Sequence, residues 1–369
     1  MEQTVLHDWH QAHHARMVDF AGWSMPVQYS SIVEEHNAVR QNAGLFDISH
    51  MGRLEFQGPD AVKFLDHLLT NEVSTLKPGQ VRYSLVCRDD GGILDDVLVY
   101  RVEQSISGEP THLLVVNASN REKILGWIES QRSKFNVTVV DRTLEWSMIA
   151  VQGPKACGIL AAYGTPDPAP FKYYTCWKGQ TPHGPAIVSR TGYTGEDGIE
   201  LMLPSGIAVA VWTDLMSRGR DAGVIPCGLG CRDTLRLEAA MPLYGHELSE
   251  DMDPLTAGLQ FAVKFTKPFV GQGRLAEIAA SPLDRVRVGF VLDGKRIARE
   301  GTPVKIGSEC IGEVTSGTFS PTLQKTIGMA YVSRAHSQPG TRIEVDLRGK
   351  LESGQVAPLP FYKLSLIHI

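Results

Sequence analysis

The stretch Gly91-Gly-Ile-Leu-Asp-Asp-Val-Leu-Val-Tyr100 places two adjacent carboxylates, Asp95 and Asp96, at the start of an apolar segment. The glycine pair turns the chain, and the β-branched run that follows predicts a strand over Ile93–Val102. Successive strand residues face opposite sides of a sheet, so one carboxylate has to point toward the core or a cavity. An inward carboxylate is costly unless it meets a cation or hydrogen-bond donors. The pair therefore indicates either a functional acid or a turn cap, and the pattern alone leaves both interpretations open.

Strand and helix patterns interrupt one another on both sides of this stretch. They predict an α+β fold with mixed or antiparallel sheets rather than a doubly wound parallel sheet. Besides 93–102, strands are predicted at 53–57, 112–117, 148–152, 186–189 and 199–203, and helices at 31–41, 60–69, 120–134, 206–222 and 228–240. No linker divides residues 1–278, which we treat as one region of two interwoven lobes.

The pattern changes after residues 280–283. Short strands separated by Gly- and Pro-containing turns follow, which predicts a small β-barrel domain over 284–363. These strands are predicted at 287–292, 303–306, 311–316, 327–332 and 342–347. Residues 364–369 form an atypical tail to which we assign no role.

Composition narrows the class of protein. The 369 residues are 43% hydrophobic and 21% charged, which fits a globular fold. Acidic and basic residues are interspersed, without a basic block or an apolar stretch of membrane-spanning length, so neither nucleic acid nor a membrane is an expected partner. The N-terminus lacks a signal-peptide layout and carries Glu2 and Asp8, which predicts a bacterial cytoplasmic protein. Six scattered cysteines are expected to be reduced and mostly buried.

A second segment, Arg190-Thr-Gly-Tyr-Thr-Gly-Glu-Asp-Gly198, contains three glycines that let the backbone approach a ligand closely. Glu196 within it could accept two parallel hydrogen bonds from the edge of a flat, N–H-rich ring. An exposed hairpin loop is the alternative.

A third segment, Gly228-Leu-Gly-Cys-Arg-Asp-Thr-Leu-Arg-Leu-Glu238, puts Arg232 and Arg236 four residues apart on one predicted helix face. Two guanidinium groups suit a carboxylate-bearing ligand tail. Ordinary ion pairs with residues such as Asp233 are the alternative. Near the N-terminus, His10, His13 and His14 are expected to be solvated rather than to bind a metal.

Taken together, these segments resemble the glycine cleavage T-protein family, in the same order and over nearly the whole chain. The matching segments are 15–29, 44–51, the GGILDD run at 91–96, 115–117, the GYTGED run at 192–197, the CRDTLRLEA run at 231–239, 243–245, 312–321 and 327–331. The sequence beyond Lys363 departs from the family, and Cys231 stands where the family often has alanine.

The resemblance implies a three-lobed molecule with a central folate channel and a C-terminal β-barrel. The implied reaction moves an aminomethyl group from the lipoyl arm of the H protein to tetrahydrofolate, a co-substrate, without a metal. The products are 5,10-methylenetetrahydrofolate, ammonia and the dihydrolipoyl H protein. By resemblance Asp96 is the catalytic carboxylate, Glu196 pairs with the pterin edge, and Arg232, in preference to Arg236, meets the glutamate tail. The implied channel-lining residues are Met51, Tyr83, Tyr100, Asn117 and Tyr193, with Tyr362 at the folate entrance.

Two other functions remain as alternatives. A folate-linked demethylase of the sarcosine or dimethylglycine type carries a large flavin domain ahead of the folate module, for which this chain has no room. A non-catalytic folate-binding protein of the iron–sulfur assembly type has a Lys-Gly-Cys-Tyr-x-Gly-Gln run where this chain has residues 191–197. Both alternatives are therefore disfavoured.

Overall fold

The computed structural model describes residues 1–103 and 110–363. The tail 364–369 lies outside the described residues. The strands are β1 (Glu2–Gln3), β2 (Arg16–Phe20), β3 (Trp23–Gln28), β4 (Ala43–Asp47), β5 (Gly52–Gln57), β6 (Gln80–Cys87), β7 (Ile93–Val102), β8 (Thr111–Val116), β9 (Thr138–Asp141), β10 (Trp146–Gln152), β11 (Cys176–Thr181), β12 (Gly184–Ser189), β13 (Gly198–Pro204), β14 (Val224–Pro226), β15 (Arg285–Leu292), β16 (Pro303–Ile306), β17 (Glu309–Ser320), β18 (Lys325–Ser333), β19 (Arg342–Asp346) and β20 (Leu351–Ala357).

The α-helices are short and lie between the strands. They are α1 (His7–Ala12), α2 (Ile32–Gln41), α3 (Ala61–Leu68), α4 (Arg121–Gln131), α5 (Ala156–Tyr163), α6 (Ser205–Arg218), α7 (Leu229–Glu238) and α8 (Gln272–Ala279). Within the described ranges, none of them combines the length and the apolar character needed to cross a bilayer.

Two large sheets organise the region before the barrel. A six-stranded sheet has the order β11-β12-β13-β10-β4-β14, in which only the β4–β14 pair is parallel. A five-stranded antiparallel sheet has the order β6-β7-β8-β5-β9, and a small sheet has the order β1-β3-β2. Every residue of β4 and β10 is buried, as expected for central strands covered on both faces. The prediction of an α+β fold with mixed and antiparallel sheets is confirmed.

A closed six-stranded barrel, with the order β15-β18-β17-β16-β19-β20, follows these sheets. Phe290, Val314 and Val345 belong to its buried core, where alternate strand residues point inward. The predicted barrel is therefore confirmed, but strand β20 was not predicted. Its sequence is mostly polar and buries only Gly354 and Val356, so the apolar alternation that marks a strand is weak there.

The two large sheets meet in one apolar cluster. Tyr100 and Leu113 from the five-stranded sheet pack in it with Phe46 and Met148 from the six-stranded sheet. Leu235 of α7 belongs to the same cluster, so this helix is packed against the junction. Helix α7 also contacts β17 and β18 of the barrel. The helix thereby connects all three parts of the molecule.

The N-terminal histidines do not behave alike. His13 and His14 are exposed, as predicted, but His10 is fully buried. Its Nε2 lies 3.0 Å from Oδ2 of Asp47, and its Nδ1 lies 2.8 Å from the hydroxyl of Tyr29. The prediction of a solvated side chain was wrong for His10 because its partners are distant in sequence and gave no local signal.

Candidate functional site

A cavity of about 430 Å³ lies among the sheets, α7 and the barrel, within the size range of small-molecule sites. Its apolar lining includes Phe20, Ile48, Met51, Leu98, Val115, Met148, Leu243, Leu259 and Phe261. Its polar lining includes His50, Tyr83, Asp96, Asn117, Tyr174, Tyr193, Glu200, Arg232, Tyr244, Arg287, Tyr362 and Lys363. A few polar groups on a mostly apolar wall are typical of a site that orients one ligand.

The Asp95–Asp96 pair stands at the start of β7, and the two side chains differ in environment. Asp96 lines the cavity, where Oδ2 accepts a hydrogen bond from the Tyr83 hydroxyl at 3.0 Å and Oδ1 accepts one from Nδ2 of Asn117 at 2.8 Å. Asp95 points the other way and is completely buried. Its oxygens accept hydrogen bonds from the backbone N–H of Asn117 and from the side-chain amides of Asn117 and Asn120. Strand alternation therefore sends one carboxylate to the cavity and the other behind the wall.

Burial raises the pKa of both carboxyl groups. The pKa of Asp96 rises to about 6, although the hydrogen bonds from Tyr83 and Asn117 favour its charged form. Burial, and then the charge of Asp96, raises the pKa of Asp95 against the opposing effect of its amide donors. Within residues 1–103 and 110–363, no basic side chain forms an ion pair with either group. A carboxyl in this state can exchange a proton near neutral pH.

Arg232, on the first turn of α7, presents a cation to the cavity. Its guanidinium carbon lies 4.7 Å from the ring centroid of Tyr193, a cation–π geometry. Among the described residues, the guanidinium of Arg232 has no hydrogen-bond or ion-pair partner. Burial lowers its pKa, while the charge of Glu200 opposes that effect. The guanidinium donors therefore remain available to an anionic or carbonyl-bearing ligand.

Glu200 of β13 is a cavity residue that sequence reasoning missed. It is buried, and burial raises its pKa while a hydrogen bond from the Thr191 hydroxyl to Oε2 opposes that effect. His50, also on the wall, has an Nδ1 without a partner in the described part of the chain. Burial, followed by the charge of Arg232, lowers the pKa of His50 to about 3. The wall thus presents an acidic acceptor and a neutral imidazole.

Comparison with known protein families decides the class of this chain. Residues 6–267 match the model described as the GCVT N-terminal domain, and residues 285–363 match the glycine cleavage T-protein C-terminal barrel domain. The chain belongs to the glycine cleavage T-protein family. The resemblance of the sequence motifs is thereby confirmed.

Relatives of similar length support this assignment. An aminomethyltransferase of Streptomyces coelicolor is 49% identical, with 98% of each chain covered. One from Bacillus cereus is 45% identical, with 99% of each covered. The crystal structure of the glycine cleavage system aminomethyltransferase T from Bartonella henselae superposes with a TM-score of 0.90 at 35% identity, covering 98% of both chains. The chain is therefore an aminomethyltransferase of the glycine cleavage system.

Of the residues that the family resemblance implicated, seven line the cavity. They are Met51, Tyr83, Asp96, Asn117, Tyr193, Arg232 and Tyr362. Three others, Tyr100, Glu196 and Arg236, are not among the lining residues. Their predicted roles in folate binding therefore lack support from the geometry.

Glu196 lies behind the cavity wall. Its Oε1 accepts hydrogen bonds from Arg40 at 3.0 Å and from the Tyr362 hydroxyl at 2.7 Å. The guanidinium of Arg40 also lies 4.0 Å from the ring centroid of Tyr362. Glu196 therefore fixes a lining side chain of the C-terminal segment, and its carboxylate is occupied by protein donors.

Tyr100 and Arg236 are buried in the protein interior. Tyr100 shares the strand face of Asp96 but lies four residues further on, about 13 Å away along the strand, in the cluster between the two large sheets. Arg236 donates to Oε2 of Glu247 at 2.7 Å and to the Ser316 hydroxyl of the barrel at 2.8 Å. Arg236 thus forms a buried ion pair, whereas Arg232 one turn earlier faces the cavity.

One group of potential metal ligands occurs in the described residues, formed by Glu35, Cys227 and Cys231. The oxygens of Glu35 already accept three backbone hydrogen bonds, from Tyr29, Ser30 and Gly228. Burial raises the pKa of both thiols, which favours their neutral form. Because metal binding requires thiolates, this donor set is poorly suited to an ion. All six cysteines are free and four of them are buried, as predicted.

Proposed function

We propose that the cavity is the active site and that it binds tetrahydrofolate together with the aminomethylated lipoyl arm of an H protein. The products would be 5,10-methylenetetrahydrofolate, ammonia and the dihydrolipoyl H protein. The observation that carries this proposal is the buried carboxylate of Asp96 on the wall of a largely apolar cavity. The bacterial relatives support the further proposal that this chain works in a bacterial cytoplasm.

Asp96 would act on the charge that develops during transfer. Tetrahydrofolate supplies two amine nitrogens that capture the methylene carbon as its bonds to sulfur and to ammonia break. Positive charge develops at that carbon, and a fixed carboxylate in a water-poor site stabilises it strongly. A pKa of about 6 also lets Asp96 accept a proton from an attacking amine and return it. Tyr83 and Asn117 hold the carboxylate in place for both tasks.

Glu200 replaces Glu196 as the proposed partner of the pterin edge. It lines the cavity, whereas the carboxylate of Glu196 is occupied by Arg40 and Tyr362. The amino-pyrimidine edge of a pterin presents adjacent N–H donors, which a carboxylate accepts in parallel. Burial of Glu200 makes such a contact valuable, since an unpaired buried carboxylate is costly.

The glutamate tail of the folate would meet the cationic lining residues. Arg232 remains the proposed contact, because its guanidinium forms no ion pair with any described residue. Arg287 from β15 and Lys363 from the C-terminal segment line the same cavity and add positive charge. Guanidinium groups bind carboxylates through two parallel hydrogen bonds. The polar end of the ligand thus has more than one possible cationic partner.

The test is to mix the protein with tetrahydrofolate and aminomethylated H protein and to measure ammonia release. We expect Asp96→Asn to lower the rate by at least about a hundredfold. We expect its dissociation constant for tetrahydrofolate, measured by calorimetry, to change less than tenfold, about 1.4 kcal/mol. The exposed Asp89, changed to Asn, is the matched control and should turn over like the parent.

Three outcomes would contradict the proposal. Turnover of Asp96→Asn at the parent rate would remove Asp96 from the chemistry. Folate binding by the parent protein without any ammonia release would favour the non-catalytic folate-binding alternative. Transfer of a one-carbon unit to tetrahydrofolate from an oxidised methylamine, without the H protein and without ammonia release, would favour the demethylase alternative.

A further inference from the structure

Asp95 is a fully buried carboxylate that the chemistry proposed above does not use. It lies one residue from Asp96 but does not line the cavity. Burying a second charge beside the first is expensive, and a neutral residue on this face of β7 would avoid that cost. The cost indicates that the carboxylate has a task of its own.

Asn117 connects the two acids. Its Nδ2 lies 2.8 Å from Oδ1 of Asp95 and 2.8 Å from Oδ1 of Asp96, so both amide hydrogens have an acceptor. Its backbone N–H donates to Oδ2 of Asp95 at 2.9 Å, which holds the same residue from its main chain. Asp95 therefore accepts two hydrogen bonds from Asn117, and the side chain of Asn117 donates another to Asp96.

This network fixes the orientation of the Asn117 amide. The reversed amide would set its carbonyl oxygen against two carboxylate oxygens, which is repulsive. In the observed orientation Oδ1 accepts no hydrogen bond within the described ranges, while Asn117 lines the cavity. An acceptor is thus left for an N–H group of a ligand, next to the Asp96 carboxylate.

Few groups near Asp95 and Asp96 could neutralise the charge of these two carboxylates. Three tyrosines face them from the surrounding elements: Tyr83 on β6, Tyr193 ahead of β13, and Tyr244 after α7. The Tyr244 hydroxyl accepts a hydrogen bond from Lys123, which does not line the cavity. The cations that line the cavity are Arg232, Arg287 and Lys363, and none of these four basic residues pairs with either carboxylate in the described structure. Two adjacent buried carboxylates without a cation cannot both ionise freely.

We propose that Asp95 is a positioning residue for Asp96, which locks the Asn117 amide in place and shares a single proton with Asp96. Asp95 receives three N–H hydrogen bonds, which favour its charged form. Asp96 receives one N–H and one O–H and faces the cavity, so the shared proton resides there at pH values below its pKa of about 6, and the carboxylate that acts in the transfer forms above that pH. The second charge makes Asp96 a stronger base than an isolated carboxylate would be. This inference rests on the proposed function for its kinetic consequence alone.

The kinetic test uses two variants with opposite expected effects. Asp95→Asn removes the neighbouring charge, so the acid limb of the pH–kcat profile should move down by about one pH unit. Asn120→Ala removes one donor from Asp95 without touching the cavity lining, so the pair should hold its proton to higher pH and the limb should move up. Val99→Ala, a buried change on β7 outside the cavity, is the control and should leave the limb in place.

A second readout does not depend on catalysis. The carboxyl carbon of Asp96, followed by NMR in protein carrying labelled aspartate, should titrate at lower pH in Asp95→Asn and at higher pH in Asn120→Ala. Shifts in this titration support the inference even if ammonia release fails and the proposed function falls. Unchanged titration and unchanged acid limbs in both variants would overturn it, because a purely structural Asp95 would lower kcat equally at every pH.

Discussion

Arg236 offers a direct way to separate a structural from a ligand-binding arginine on the same helix. Its side chain is 2% exposed and pairs with Glu247, which is completely buried, at 2.7 Å. Arg236→Met keeps the volume but leaves the carboxylate of Glu247 without its cation. Removing one partner of a buried ion pair destabilises a protein by about 3–5 kcal/mol, because the remaining charge is uncompensated. We expect a loss of that size for Arg236→Met.

The assay is urea unfolding at neutral pH without ligand, together with tetrahydrofolate calorimetry at low denaturant. Arg232→Met should show the opposite pattern, with little loss of stability and weaker folate binding, since its guanidinium has no ion pair to lose in the part of the chain that the structure describes. Arg274→Met, on an exposed pair with Glu277, is the control for loss of a surface charge. The double variant Arg236→Met with Glu247→Gln should recover part of the stability, because no buried charge remains.

Acid pH provides a further check on Arg236. Burial acts to raise the pKa of Glu247, but Arg236 and the hydrogen bonds outweigh it and lower the pKa in the folded protein. A carboxyl group whose pKa is lowered by folding stabilises the protein at pH values above its pKa in the unfolded chain. This stabilisation is lost as the pH falls through its pKa in the folded protein. The loss of stability that Arg236→Met causes relative to the parent should therefore become smaller at acid pH. An unchanged unfolding midpoint combined with lost folate binding would refute the reasoning and make Arg236 a ligand residue.

Two further outcomes follow from the cavity itself. In urea unfolding, Asp96→Asn should be more stable than the parent at pH 8 and equally stable near pH 4. The reason is that burial raises the pKa of Asp96, so ionisation of this carboxyl destabilises the folded parent as the pH rises through about 6. A variant less stable than the parent at pH 8 would contradict this. Glu200→Gln should weaken tetrahydrofolate binding in calorimetry more than Glu196→Gln does, since only Glu200 lines the cavity; the reverse ranking would restore Glu196 as the pterin contact.

The sequence predicted the central features of the site because strong local patterns carried them. Strand β7 occupies the predicted range Ile93–Val102, and alternation sends Asp96 to the cavity. Glu200 could have been found by the same reasoning. It is an acidic residue inside the apolar run 199–203, where a carboxylate is costly without a purpose. The glycine-rich segment before it directed attention to Glu196 instead.

The surroundings of Tyr100, Arg236 and His10 depend on distances and partners that no local pattern contains. Tyr100 lies on the same face of β7 as Asp96, but the cavity ends before it reaches Tyr100. Arg236 lies about 6 Å further along the helix than Arg232, and there it meets Glu247 and the barrel. His10 is buried through Asp47, which is 37 residues away in sequence. Tertiary contacts of this kind override a prediction made from helix or strand periodicity.

The cavity wall includes residues from Phe20 to Lys363, and α7 is bonded to the barrel through Arg236 and Ser316. During synthesis the domains of a protein generally fold in order from the N-terminus. Here Arg287 and Tyr362 emerge from the ribosome long after Asp96 and Asn117 have met. A nascent chain without its barrel therefore lacks part of the cavity wall, and a ligand of this cavity meets its complete site only after translation has passed these last wall residues.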